Sequence, residues 1–190
     1  MSDIFIASLR NRVRAMNSLW VAAAADLTLE QVNHRERPGL LPIAFPFAHF
    51  MTGQDEAVSR HFLGEDSLWE RDGWAGRVGV TVGRFARGTP VALSEQLRFA
   101  DLDAWREYQA GVIARTDRAL EGIDATLLAE VVVPALPPEM DNSYCGLVVG
   151  PGGAVRKLEV LECFVYQHGL RHMGEIEYAR SLLGLGGLTG

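Results

Sequence analysis

Near the end of the chain, in FVYQHGLRHMGEIEYARSLLGL, His168 and His172 stand four residues apart and Glu175 follows three residues later. The stretch has helical periodicity, and on a helix these three side chains share one face. Walked at steps of three and four, the inward positions read Leu158, Leu161, Val165, His168, His172, Glu175 and Ala179. Two imidazoles and a carboxylate therefore interrupt an apolar stripe. A buried polar group without a partner costs on the order of 1–3 kcal/mol, and a metal ion is one such partner. Imidazoles at i and i+4 reach a single ion from consecutive turns.

Two histidines rarely suffice. A catalytic zinc-like site takes three protein ligands and leaves a fourth position for water or substrate. The best third donor is His49, in FPFAHFMTGQDE, because Phe45, Ala48 and Thr52 share its face and turn it toward a core. Glu56, seven residues on, lies on the same side. His34 falls in a polar connection and His61 is turned about 120° from His49, so both are expected to face solvent. The plain alternative for any of these rings is a hydrogen-bonded core histidine. For Glu175 four roles are open: a further ligand, an acceptor that fixes an imidazole, a general base, or a surface carboxylate paired with Arg171. Cys145 and Cys163 match no C-x-x-C pattern. Cys163, about 140° from His168 around the helix, reads as a small core residue, and Cys145 as a free thiol in a loop.

The elements that must position these residues are long helices. The first covers about residues 3 to 25, with Phe5, Leu9, Val13, Met16, Trp20 and Ala23 on one face. That periodicity, with arginines inside it, favours an amphipathic helix over a cleaved signal. The second helix starts between Pro42 and Pro46 and stops at Gly64. A glycine-rich connection follows, in which Trp69 and Trp74 are expected to anchor the chain, with a short helix at Ser94 to Ala100. The third long helix begins at Asp101 as N-cap and faces the core with Leu102, Trp105, Gln109, Val112, Thr116, Leu120 and Ile123. Val131 to Val133 can form a short strand, kept local by the prolines around it. The last helix runs from about Ala154 to Leu183, and Gly184 ends it. Long helices without a parallel-sheet pattern predict an all-α, four-helix-bundle fold, here one domain over residues 1–190.

With a formal net charge of −6, neither nucleic acid nor an anionic membrane is expected as main partner. No run approaches the roughly 20 apolar residues of a membrane span, and sparse cysteine fits a reducing cytosol, so a cytoplasmic protein is expected. Apolar positions beyond one stripe, such as Ile4, Ile6, Phe99 and Tyr108, suggest a homodimer built on helix faces.

HGLRHMGEIEYARSLLGL resembles the last-helix signature of the DinB-like superfamily, H-x-x-x-H followed by Gly, a polar residue and Ile; here these are His168, His172, Gly174, Glu175 and Ile176. FAHFMTGQD resembles the second-helix histidine segment of that family, with His49 in the ligand position. LWERDGWAGRVGV resembles members that carry a W-x-x-x-G-W-A stretch. The likeness extends in order and spacing over most of the chain. It implies an up-down-down-up four-helix bundle, often dimeric, in which three histidines hold a divalent metal, commonly nickel, zinc or iron. It also implies kinship with transferases and isomerases that use a low-molecular-weight thiol such as mycothiol or bacillithiol. Glu175 departs from the pattern, since glutamine is frequent there.

Three functions follow as expectations. One is a metal-dependent enzyme that activates a thiol or a water for a small-molecule substrate. Another is a non-catalytic, stress-related bundle whose ion ties two helices together. A ferritin-like di-iron protein is disfavoured, because the E-x-x-H pairs it needs are missing.

Overall fold

The computed structural model describes residues 3–83, 85 and 88–188, and most of them are helical. Helix α1 (Asp3–Ala25) buries Leu9, Val13, Met16, Trp20 and Ala23 as its periodicity requires. The short α2 (Leu29–Asn33) starts in a capping box between Thr28 and Gln31. Helix α3 (Ala44–Val58) takes Pro46 in its first turn. It widens into a π-helical turn, Ser59–Leu63, and ends at Gly64 in the left-handed conformation.

The glycine-rich connection packs rather than loops out. It contains α4 (Leu68–Arg71), α5 (Trp74–Val78) and α6 (Val91–Ser94). Trp69 and Trp74 both pack against Tyr108, with ring centroids 5.0 and 5.6 Å away. Beneath them Asp55 is fully buried and accepts from the Ser59 hydroxyl, the Tyr108 hydroxyl and the Trp69 backbone N–H. One carboxylate thus ties the connection to α3 and to α7 (Leu102–Glu121). Burial, and then Asp55, hold the Tyr108 hydroxyl well above the usual phenol range. The short helix expected at Ser94 to Ala100 lies earlier, at α6. Pro90 starts it, and from Gln96 the chain is drawn away to Thr81, whose hydroxyl donates to the Gln96 carbonyl and accepts from the Arg98 N–H.

Asp101 caps α7 by accepting from the N–H groups of Asp103 and Ala104. All seven positions expected on its core face are buried. Phe99, Tyr108 and Ile6 are buried in the same core, so of the four residues offered for a dimer face only Ile4 is exposed.

After α8 (Ala125–Ala129), the strand β1 (Val131–Val133) pairs antiparallel with β2 (Val155–Arg156). Between them lies α9 (Tyr144–Val149), capped by Ser143. Because Val155 and Arg156 are extended, the last helical segment begins at Lys157, later than expected. It runs as α10 (Lys157–Glu159), a π-helical stretch Val160–Gln167, and α11 (His168–Leu182). α1, α3, α7 and this last segment share one core, in which Trp20 stacks on Phe50 at 4.3 Å and Trp105 on Phe99 at 4.7 Å. Among the described residues no helix is long and apolar enough to cross a membrane.

The π-helical stretch corrects the expected seam. The buried positions run Leu161, Val165, Gly169, Met173, Ile176 and Arg180, one residue later than anticipated from position 168 onward. A π-helix bonds i to i+5 and takes more residues per turn than an α-helix, so steps of four persist through the stretch. His168, His172 and Glu175 therefore lie beside the core seam, not within it. Arg180, on the seam, forms a two-pronged ion pair with Asp26 at 2.7 and 2.8 Å and fixes the far end of α11 to the end of α1.

Gly169 sets the approach of α11. A Cβ there would collide with the Met16 sulfur and lie 2.7 Å from Cζ of Phe50, a ring already stacked on Trp20. A Cβ at Gly174 would meet nothing within 4 Å. Gly169→Ala is expected to lower stability by about 1–3 kcal/mol through overpacking, and Gly174→Ala to be neutral or stabilising by up to about 1 kcal/mol. Urea unfolding of the two variants checks this; equal midpoints would remove the close-approach argument.

Candidate metal centre

His49 on α3 and His168 and His172 on α11 come together as the sequence reading requires. One nitrogen from each lies within 4.8 Å of the others, and the ring centroids are 4.6 to 5.1 Å apart.

The hydrogen bonds decide which nitrogen each ring presents. Nδ1 of His49 donates to the Phe85 carbonyl at 2.7 Å, and the ring is stacked on Phe45. Nδ1 of His172 donates to Oε2 of Glu175, also at 2.7 Å. In a neutral imidazole one nitrogen carries the proton and the other the lone pair, so both rings present a bare Nε2 inward. Nε2 of His172 faces Nε2 of His168 at 2.9 Å, a spacing over which one metal ion can be shared. A histidine ligand whose other N–H is held by a carbonyl or carboxylate is the usual arrangement around a metal, and the donor set of three imidazole nitrogens suits zinc, iron or nickel.

The electrostatics favour the neutral form of His49 and His168. Burial first, then the charge of His172, lowers the His49 pKa, against the pull of the Phe85 carbonyl. Burial, then His172 and His49, lowers His168 to about 3, against the Phe164 carbonyl. Neutral imidazole is the form that binds metal. Burial works to raise the Glu175 pKa, but the hydrogen bond to His172, with the charges of His172 and Arg171, outweighs it and the net shift is downward. Glu175 is thus an ionised acceptor on His172, and it is not part of the converging group. No ion pair joins it to Arg171 among the described residues.

The triad forms the floor of a cavity of about 600 Å³, within the size range of small-molecule sites. A crevice beside His34 is far smaller, about 30 Å³. The opposite wall of the large cavity comes from α9 and the turn before it, including Met140, Asn142, Tyr144 and Cys145, while Cys163, Phe164, Gln167 and Arg171 complete it from the last helical segment. Cys145 is a free thiol as expected, but it is buried in α9 rather than set in a loop. Cys163 is a small buried residue as expected, and burial, then Cys145, pushes its thiol up to about 12. Burial also raises Cys145, so neither thiol is activated.

The remaining candidates are not part of the converging group, although Glu56 and His61 line a smaller cavity of about 220 Å³ that also borders His168. His34 is exposed and pairs with Glu36 at 3.3 Å. His61 is half-buried rather than solvent-facing, and burial lowers its pKa. Glu56 points outward to Arg60. Sequence reading missed Phe85, whose backbone carbonyl orients His49; a carbonyl leaves no signature in residue type.

No protein-family model and no curated protein sequence matches the chain. Among solved structures, a conserved protein from Enterococcus faecalis superposes with a TM-score of 0.73, covering 97% of this chain and 99% of that one at 15% identity. At that identity the likeness is one of fold alone.

The depressed pKa values predict how the metal-free protein responds to acid. Unfolded histidine titrates near about 6.5. Above that value neither state holds the proton and nothing is lost. Below it the unfolded chain takes up protons that folded His49 and His168 refuse, so stability falls with pH. Between pH about 6.5 and about 5, His168 alone removes about 2 kcal/mol. Urea midpoints of metal-free protein across that interval check the slope. His168→Gln is expected to flatten it, and an unchanged slope in that variant would refute the assignment.

Proposed function

We propose that this chain is a divalent-metal protein of the DinB-like type, a four-helix bundle in which His49, His168 and His172 hold one nickel, zinc or iron ion. We further propose that it is a metal-dependent enzyme, acting on a small molecule through an activated low-molecular-weight thiol or a water in transferase, isomerase or hydrolase chemistry. The observation that carries the reading is the convergence of three imidazole nitrogens, two with their outer N–H anchored, on the floor of a cavity. When bound, the ion supplies Lewis acidity that lowers the pKa of a thiol or water placed beside it.

The chain's own residues have separate tasks. His49 joins α3 to α11 through the site, with its ring direction set by Phe85. His172 takes electron density from ionised Glu175, which makes its Nε2 a stronger donor. Phe45 packs on His49 and Phe50 on His168, and the cavity of about 600 Å³ opens beside all three rings. That open side favours an enzyme. A non-catalytic bundle is the second reading, and it draws on the same geometry, because an ion shared by α3 and α11 would stabilise their packing.

Elemental analysis of protein purified without chelator is expected to give about one ion per chain, and His49→Ala, His168→Ala and His172→Ala to abolish it. Glu175→Gln is expected to keep the site while weakening metal affinity about 10–100-fold. In cobalt-substituted protein, an added thiol is expected to produce a thiolate-to-metal absorption band. Metal content indifferent to all three histidines would overturn the metal reading. A cobalt protein blind to thiols would remove the thiol branch, and absence of turnover with model electrophiles would leave the non-catalytic reading in place.

A further inference from the structure

The cavity above the triad has a one-sided charge. Among the described residues that line it, none is a carboxylate, and its one fixed charge is Arg171. Arg171 sits on the turn of α11 between the two histidines, exposed at the rim. It forms no ion pair and no side-chain hydrogen bond among the described residues. Its charge reaches Glu175, but Glu175 is committed to His172. Several other arginines are paired: Arg12 with Glu162, Arg77 with Glu107, Arg118 with Glu65. Asn142 and Gln167 line the same cavity, and their residue type carries amide donors. A guanidinium held open at the mouth of a cavity, with amides along the wall, is a receptor for oxyanions. In a chain of net charge −6, which repels anions at long range, this local polarity selects rather than merely attracts.

We infer that the ligand of this cavity is an anion: a small molecule carrying a carboxylate or phosphate group that Arg171 takes at the rim, while its other end lies against the imidazoles. The inference rests on the cavity being the ligand site, as proposed above, and it names the class of molecule that enters.

The test uses a matched pair of probes, 3-mercaptopropionate and 3-mercaptopropan-1-ol, which share a thiol and differ in the anionic end. Each is titrated by NMR into metal-loaded and into metal-free protein. The expected result is a preference of about tenfold for the anionic probe, as for one charge-assisted contact open to solvent, with shifts at Arg171, Asn142 and Gln167. The preference is expected to shrink with added salt, to vanish in Arg171→Gln and to persist in Arg171→Lys, with metal content unchanged in both variants. Displacement of the bound probe by acetate or by inorganic phosphate then tells which oxyanion fits better. Equal affinity for the two probes, binding of neither, or a preference that survives Arg171→Gln would overturn the inference. Loss of the metal reading is separately visible as absence of metal, and the probe ratio on metal-free protein still decides the anion question.

Discussion

One helix has to fill a core and carry chemistry, and a single stripe of side chains cannot do both. If His168 and His172 occupied the core seam, their polar nitrogens would face Phe50 and Met16. The π-helical winding of Val160–Gln167 removes this conflict. It advances the packing face by one residue, so Gly169, Met173 and Ile176 meet the core while the histidines stand just to the side of it. Gly169 then lets the backbone come close enough to α1 and α3 for both imidazoles to reach His49. π-Helical segments recur at functional sites, and here the reason is geometric: the same residues would be useless with the register one step earlier.

The polar groups follow from that placement. An imidazole at the edge of a core is desolvated, so its proton is shed and its lone pair is exposed, provided the other nitrogen has an acceptor. Phe85 and Glu175 supply the acceptors. Asp55 does related work between one and two turns along α3 from His49. It holds the Trp69 backbone and the Tyr108 hydroxyl, and thereby seats the connection from which the Phe85 carbonyl reaches His49. Trp69 and Phe85 also touch directly, edge to face at 5.7 Å. A buried carboxylate with three donors is thus coupled, through two aromatic residues, to the orientation of a candidate ligand.

Much of this was legible in residue types. The seven positions read from Leu102 to Ile123 are all buried, because regular α-helical spacing holds along α7, although the buried Tyr108 on that helix is not among them. The i, i+4 pair and His49 marked the triad, since imidazoles on apolar faces need partners wherever they sit. What failed shares one cause, tertiary context overriding local pattern. The seam of the last helix was misplaced because a π-helical turn has no distinct composition. The start of that helix moved from Ala154 to Lys157 because β1, 24 residues upstream of Val155, captures Val155 and Arg156. Cys145 was read as a loop residue because a six-residue helix capped by Ser143 is too short to show a period. Tyr108 and Phe99 were taken as surface apolar groups because the connection that covers them is irregular.

The two walls of the cavity are built differently, and this bears on how such a site can vary. The floor belongs to the main core, where His49 and His168 are backed by Phe45, Phe50 and Trp20. The far wall belongs to a second, smaller cluster of Leu136, Cys145, Val155, Val160 and Cys163, hung on the β1–β2 pair. Its shape depends on Gly146, where a Cβ would run into the carbonyls of Met140 and Asp141. Donor atoms need positions fixed to a fraction of an ångström, and a close-packed core provides that. A wall with its own small cluster can change residue by residue without disturbing those positions. Arg171 lines the cavity from α11, between the two histidines. Under the proposed reading, charge selection at the rim would be anchored to the same helix as two of the candidate metal ligands, and the rest of a ligand would meet α9 and the turn before it.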